Sequence, residues 1–365
     1  MDDLAPRPGH RNRSAHQANP MKRRTAIIVI ASMLPLLGCP LGENATVEHD
    51  NVCIDLSPDG KSVVFSSADG DLYIFDLARN SVTRLTETEQ TESYPSFSPD
   101  GKTIVFSASA GDSAPHHIFL MDRSTLRVEQ LTDDPETSDI LPRFNPDGTR
   151  IVFARAYRHR PYSLGGWTWD QWDACEIASG GTEFSRLTNE RYSQMYRIIP
   201  RTDGSVLYSA DLMGMDDAPN AALYSTDPTG KPQRVIPKEP ECDPDVCAWA
   251  SDPMLAQDGV TLAFCSDRER SFWYDVCVSR VDNETKCLVG NKSRYNRYPD
   301  FFPDGKRIVF LAGTTFNAGN RAIYSLWEVS SDGKTNELAS SALFTNPANW
   351  RSGQRAEPDD ESKSR

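Results

Sequence analysis

Ser57-Pro58-Asp59-Gly60, Ser98-Pro99-Asp100-Gly101, Asn145-Pro146-Asp147-Gly148 and Phe302-Pro303-Asp304-Gly305 are one turn written four times. Arg201-Thr202-Asp203-Gly204 and Ala256-Gln257-Asp258-Gly259 are worn copies that fill the gap. The six glycines stand at 60, 101, 148, 204, 259 and 305, at intervals of 41, 47, 56, 55 and 46. Self-similarity at a period of about 40 to 50 residues is what a propeller blade of four strands requires.

Working outward, each turn is followed by a short β-branched and aromatic run: Lys61 to Phe65, Lys102 to Phe106, Arg150 to Phe153, Ser205 to Tyr208, Val260 to Phe264 and Lys306 to Phe310. Such residues suit a pleated surface buried on both faces. Asp-Gly between two apolar stretches is a hairpin signal, because glycine takes a positive φ freely and the Asp side chain bonds the turn's own amides. A second apolar run follows, as in Leu72 to Asp76 or Ile118 to Asp122, and then a strand ending in Leu-Thr at Leu85-Thr86, Leu131-Thr132 and Leu187-Thr188. Four strands per repeat, with no helical period between them, predict an all-β chain. The expected fold is a six-bladed β-propeller of four-stranded antiparallel blades over residues 51–350. The Asp-Gly pairs at 59/60, 100/101, 147/148, 203/204, 258/259 and 304/305 are read as structural turns.

The succession of inner strand, Ser-Pro-Asp-Gly-Lys, Ile-Val-Phe, Ile-Tyr and Leu-Thr resembles the repeats of the TolB propeller family from about Asn51 to Ser340. That resemblance implies six blades, in agreement with the count of turns. The family's namesake carries an α/β domain before its propeller, whereas here a short stretch separates Cys39 from the first repeat. Function tied to that domain does not carry over.

Ahead of the repeats, Met21-Lys22-Arg23-Arg24 and the apolar Thr25 to Leu37 read as a signal peptide too short to span a bilayer. Leu36-Leu37-Gly38-Cys39 resembles a lipobox, which implies lipid on Cys39 and a bacterial envelope address, periplasmic or cell-surface. Residues 1–20 are then a leader or an overextended gene start, 21–38 the signal peptide, 39–50 a tether and 351–365 a disordered polar tail.

The 365-residue chain carries a net charge of −13, and without residues 1–38 the remainder carries −17. Phosphate binding relies on basic neutralisation, so nucleic acid is a poor partner for it. Seven cysteines lie beyond Cys39, and an oxidising envelope favours disulfides. Cys242 with Cys247 in one loop, and Cys265 with Cys277 on one hairpin, are the candidate pairs. Zinc is disfavoured by the spacing and the lack of a nearby His. No cofactor is expected, although the acidity permits a calcium ion in the channel; no loop has the ordered carboxylate spacing of a calcium site.

A Gly-x-Ser-x-Gly nucleophile elbow is absent from the sequence. His116, His117 and His159 fall in corresponding loops of successive blades and are the candidates for an enzymatic site, against the alternative of exposed loop histidines. Loops between second and third strands vary most, at Tyr157 to Asp173, Asp211 to Asn220 and Gly313 to Arg321, and length variation on a rigid scaffold is where binding function is placed. Tyr157, Arg158, His159, Arg160, Tyr162, Trp167, Trp169 and Trp172 in the third repeat, with Arg268, Arg270, Trp273 and Tyr274 in the fifth, carry hot-spot chemistry. The competing expectation is that these aromatics fold down as packing. The function read from these features is a non-catalytic scaffold for envelope proteins, peptidoglycan-associated or in the outer membrane; the alternative is a carbohydrate-binding or polysaccharide- or peptide-processing propeller.

Overall fold

The Asp-Gly turns are built by their own side chains. In all six, the glycine N–H donates to the carbonyl three residues back, at 2.8 Å from Gly60 to Ser57 and 2.9 Å from Gly259 to Ala256. The glycines have φ between 64° and 81°. The turn aspartate accepts the amide two residues on, from Lys61 at 3.1 Å, Thr149 at 2.8 Å and Ser205 at 2.9 Å. The worn copies keep this geometry because Asp and Gly alone supply it.

The structure is a computed structural model and describes residues 52–345 and 347, apart from 112, 162–165, 212–220, 228, 236–249, 267–273, 281–284, 290–294 and 317–321. Cys39, the expected signal peptide and the tail at 351–365 lie outside the described residues, as do Tyr162, Cys242, Cys247, Arg268, Arg270 and Trp273.

Blade 1 comprises β1 (Ile54–Leu56), β2 (Ser62–Ser66), β3 (Leu72–Asp76) and β4 (Ser81–Arg84). Blade 2 comprises β5 (Thr91–Phe97), β6 (Thr103–Ser109), β7 (His116–Asp122) and β8 (Val128–Gln130). Blade 3 has β9 (Ser138–Phe144), β10 (Arg150–Pro161), β11 (Trp167–Ala178) and β12 (Ser185–Arg186). Blade 4 has β13 (Gln194–Pro200), β14 (Val206–Asp211), β15 (Ala222–Thr226) and β16 (Pro232–Arg234). In blade 5 the strands are β17 (Ala250–Leu255), β18 (Thr261–Ser266), β19 (Asp275–Arg280) and β20 (Lys286–Cys287). In blade 6 they are β21 (Tyr295–Phe301), β22 (Arg307–Phe316), β23 (Ala322–Ser330) and β24 (Thr335–Ala339), and a short helix, α1 (Ala342–Thr345), follows. Each blade is an antiparallel sheet in sequence order. The first strands contact one another around the ring, β1 to β5 and onward to β21, which returns to β1. This is the expected six-bladed β-propeller.

The alternation of a strand explains why the runs are apolar throughout. Val63 and Phe65 face the core shared with blade 6, while Val64 between them faces the core shared with blade 2. Six apolar clusters fill the six seams between blades. The Leu-Thr ending also has a physical cause. The Thr hydroxyl accepts an amide of the third strand, at 2.8 Å from Leu72 to Thr86, 2.9 Å from Ile118 to Thr132 and 2.9 Å from Ala174 to Thr188.

Among the described residues each blade is built from its own four strands, and at 342–345 the chain forms α1 rather than a further strand. Helix α1 sets Phe344 edge-on against Phe65 at 5.1 Å, and its carbonyl accepts the Ser67 hydroxyl at 2.8 Å and the Ala68 amide at 3.1 Å.

The Cys265–Cys277 pairing is corrected. Register sets Cys277 opposite Phe264 on β18 and opposite Cys287 on β20, and the disulfide joins Cys277 to Cys287. Cys265 faces Val276 and, like Cys53 and Cys175, is buried outside that disulfide.

Candidate functional site

The third-repeat insertion is strand at Tyr157 to Pro161 and at Trp167 to Asp173. In β10 and β11, the inner strand β9 pairs only as far as Ser138 with Ala156, whereas β10 and β11 go on pairing to Pro161 with Trp167. Five residues at about 3.3 Å each carry a hairpin some 16 Å past its blade. Its base is fixed to the connection leading into blade 4, where the Trp172 amide donates to the Tyr192 carbonyl at 2.8 Å and the Tyr192 amide returns the bond at 2.9 Å.

Cross-strand pairs divide the hairpin chemically. Arg158 opposite Asp170 and Arg160 opposite Thr168 lie on one face; His159 opposite Trp169 and Pro161 opposite Trp167 lie on the other. On the first, Asp170 is only 3% exposed and accepts Nε and Nη2 of Arg158 at 2.6 and 2.7 Å. Its second oxygen also accepts Nε of Arg160. Burial disfavours the ionised carboxyl, but the bonds from Arg158 and then Arg160 outweigh it and hold its pKa below the ordinary value. Two guanidiniums are thus fixed by one carboxylate.

On the second face, the His159 ring stacks on Trp169 at 4.6 Å and lies 5.0 Å from Trp167. The aromatics divide between the two expectations. Trp172 is buried and donates its Nε1–H to the Trp169 carbonyl at 3.2 Å, Trp169 is half-buried against the blade 3–4 core, and Trp167 is 51% exposed. Tyr157 is partly buried under Arg186 and shares a hydrogen bond with the Cys175 thiol at 3.3 Å, so it belongs to the packing. Tyr274, in the fifth blade, lies beside Tyr295 at the join to blade 6.

The histidines do not share one loop environment. His116 and His117 open β7, opposite Ser109 and Ala108, and burial drives the His116 pKa down to about 4. His159 stands three residues beyond the last pairing of its blade with β9. Among the described residues, no group of three His, Cys, Asp or Glu side chains has an arrangement that could hold a metal ion.

The axis carries charges that the repeat did not announce. The Asp55 carboxylate accepts the Phe97 amide at 2.8 Å and Nη2 of Arg143 at 2.6 Å, joining blades 1, 2 and 3. Arg197 donates to the Pro299 carbonyl at 2.8 Å, and its other amino group lies 3.8 Å from both Asp55 and Asp300. Asp300 accepts the Leu56 amide at 3.0 Å, and Arg297 binds Asp252 at 2.7 Å. Burial, with Asp55 next to it, pushes the Asp300 pKa up to about 7. Except for Asp55, whose strand β1 pairs in regular register, these residues sit where the first strands bulge, with Tyr94, Leu141, Asp252 and Tyr298 at φ between 51° and 59°. A bulge re-aims a side chain, here toward the centre. The available signal was the inner-strand Pro with a charge after it, in Pro142-Arg143 and Pro299-Asp300.

No protein-family model matches the sequence, and no curated protein matches it. Solved structures do share its fold. TolB from Acinetobacter baumannii is 19% identical with a TM-score of 0.53, over 78% of this chain and 61% of its own. An oligogalacturonate lyase from Vibrio parahaemolyticus is 13% identical with a TM-score of 0.53, over 81% of each chain. The tricorn protease is 15% identical with a TM-score of 0.56, over 79% of this chain and 26% of its own. The chain therefore spans under two thirds of that TolB and about a quarter of the protease. The neighbours include enzymes and a protein not named as one, and at these identities they establish the propeller fold alone.

Proposed function

We propose that this chain is exported to the bacterial envelope, held there by lipid on Cys39, and acts as a non-catalytic scaffold. Its partner is an envelope protein, peptidoglycan-associated or in the outer membrane, docking over the projecting hairpin. The observation that carries the reading is that hairpin: it stands some 16 Å past its blade, is fixed at its base, and shows Trp167, His159 and a clamped arginine pair to solvent. Rigid aromatics and arginines are what dominate protein interfaces. In a pull-down from envelope extract, replacing residues 158–170 by a Gly-Ser linker is expected to abolish recovery of the specific partners. Recovery of the same proteins by both forms would overturn the docking reading. Fatty-acid labelling that persists in Cys39→Ala would overturn the anchor.

A second reading, a carbohydrate-binding or polysaccharide- or peptide-processing propeller, draws support from the same aromatic stack, since exposed flat rings suit the apolar face of a sugar. Turnover of a polysaccharide or peptide by the purified protein, lost on changing His116, His117 or His159, would establish it over the scaffold.

A further inference from the structure

The two faces of the hairpin have unlike surroundings. The connections from blade 1 to 2, 2 to 3 and 3 to 4 present Glu87, Glu89, Asp133, Asp134, Glu136 and Glu190, all exposed, with Arg191 beside the last. The Trp172–Tyr192 pairing couples the third of these connections to the hairpin base. The clamp rises from a base coupled to Glu190 and Arg191, and with two guanidiniums to one carboxylate it carries a local charge of +1.

Its geometry is preorganised. Arg158 commits Nε and Nη2 to Asp170, and Arg160 commits Nε; among the described residues, no other acceptor bonds them. The side chains remain 42% and 39% exposed, so the remaining N–H groups can meet a ligand while the forks are already held. A guanidinium fixed in this way presents paired donors that match a planar carboxylate, and little side-chain freedom is left to lose on binding.

We propose that the Arg158–Asp170–Arg160 clamp is a carboxylate-recognition element that reads a short acidic stretch of a polypeptide partner, an inference that rests on the docking reading above. Glu190, on the connection coupled to the hairpin base, would repel such a stretch beside the clamp and favour its docking on the guanidiniums. Trp167 and the His159–Trp169 stack, on the opposite face, supply area but no preference for charge.

The probes are two fluorescein-labelled nine-residue peptides, Gly-Ser-Glu-Glu-Tyr-Glu-Glu-Ser-Gly and its counterpart with every Glu replaced by Gln, titrated by anisotropy against the full chain. The Glu peptide is expected to bind at least 10-fold tighter than the Gln peptide in low salt. Arg158→Gln with Arg160→Gln and Asp170→Asn, which removes the clamp without stranding a buried charge, is expected to abolish that preference. Arg158→Lys with Arg160→Lys keeps the charge, loses the fork and is expected to retain less than a third of it. Trp167→Ala is expected to weaken both peptides equally. Equal affinity for the two peptides, or a preference that survives loss of the clamp, overturns the proposal, as does binding of a uronic-acid oligosaccharide with no response to the Glu peptide. If the Gly-Ser hairpin loses its envelope partners while the clamp variant keeps them, the docking reading stands and this inference fails.

Discussion

The carboxylates of the turns and those of the mouth and axis behave in opposite ways. Turn aspartates are near the surface and bonded by local hydroxyls and amides, which lower their pKa: Thr261 and its neighbours bring Asp258 to about 2, and Ser57 does the same in kind for Asp59. At the mouth and axis, burial dominates and raises Glu92 to about 7, Asp211 to about 6 and Asp300 to about 7. One set of acids builds local chain geometry and stays charged. In the other, Asp300 is held by the Leu56 amide from the far side of the ring, while Glu92 and Asp211 are buried against Thr88 and Tyr196 nearby. The difference teaches that the regular end of the repeat is self-sufficient, while the opposite end depends on the assembled ring.

The turn end is not uniform, and that gives the largest test of its self-sufficiency. A Cβ on Gly60 would meet Cδ of Pro303 at 2.6 Å across the blade 6–1 seam, and one on Gly101 would touch Pro58 at 3.7 Å. A Cβ on Gly305 meets nothing within 4 Å, and the preceding turn has Gln257 in place of a proline. Both glycines have positive φ, at 69° and 64°. Gly60→Ala is expected to cost about 3 kcal/mol, combining backbone strain with overpacking. Gly305→Ala should cost about 1 kcal/mol from strain alone. Urea unfolding midpoints at constant slope measure the difference, and equal losses would show that the proline contact at the seam contributes nothing.

An intermediate effect concerns pH. Glu92, Asp211 and Asp300 hold protons in the folded chain that the unfolded chain has already released, so their contribution to stability is complete below about pH 4 and is lost as pH rises toward 7. The turn aspartates act with the opposite sign, and only below about pH 4. Denaturant midpoints should therefore fall between pH 5 and 7.5, and Asp300→Asn should remove a large share of that slope. A slope unchanged in the variant would mean that the axial carboxyl is not a site of proton uptake. Smallest is Asp258→Ala, expected to cost under about 1 kcal/mol, since its bonds from the Val260 and Thr261 amides and the Thr261 hydroxyl are all exposed and replaceable by water, while Gly259 keeps the chain reversal.

Repetition made one end legible and left the other obscure. Asp-Gly, the β-branched run and Leu-Thr each act within their own blade, so every copy votes for the same local structure. The axial hub has no such redundancy: Asp55, Arg143, Arg197 and Asp300 come from four blades, each once, and meet only when the ring is formed. The hairpin lay between. Its residue types pointed to an exposed surface, but the alternation of Arg158, Arg160 and Asp170 against His159, Trp167 and Trp169 was there as strand period and was read as loop. The disulfide failed on register, since one residue of offset turns Cys265 away from Cys277.

That the first blade is built from its own four strands has a mechanical consequence. β1 is three residues long and is hydrogen-bonded as a strand to β2 alone. Any tension arriving along the chain ahead of Val52 would therefore load three residue pairs in series, as a zip is loaded. What resists peeling is sideways: Asp55 is riveted to Phe97 and Arg143, and the Leu56 amide to Asp300. The buried charges at the centre thus serve as the mooring of the first blade, and a tethered propeller pulled from that end would yield there before any other blade feels the load.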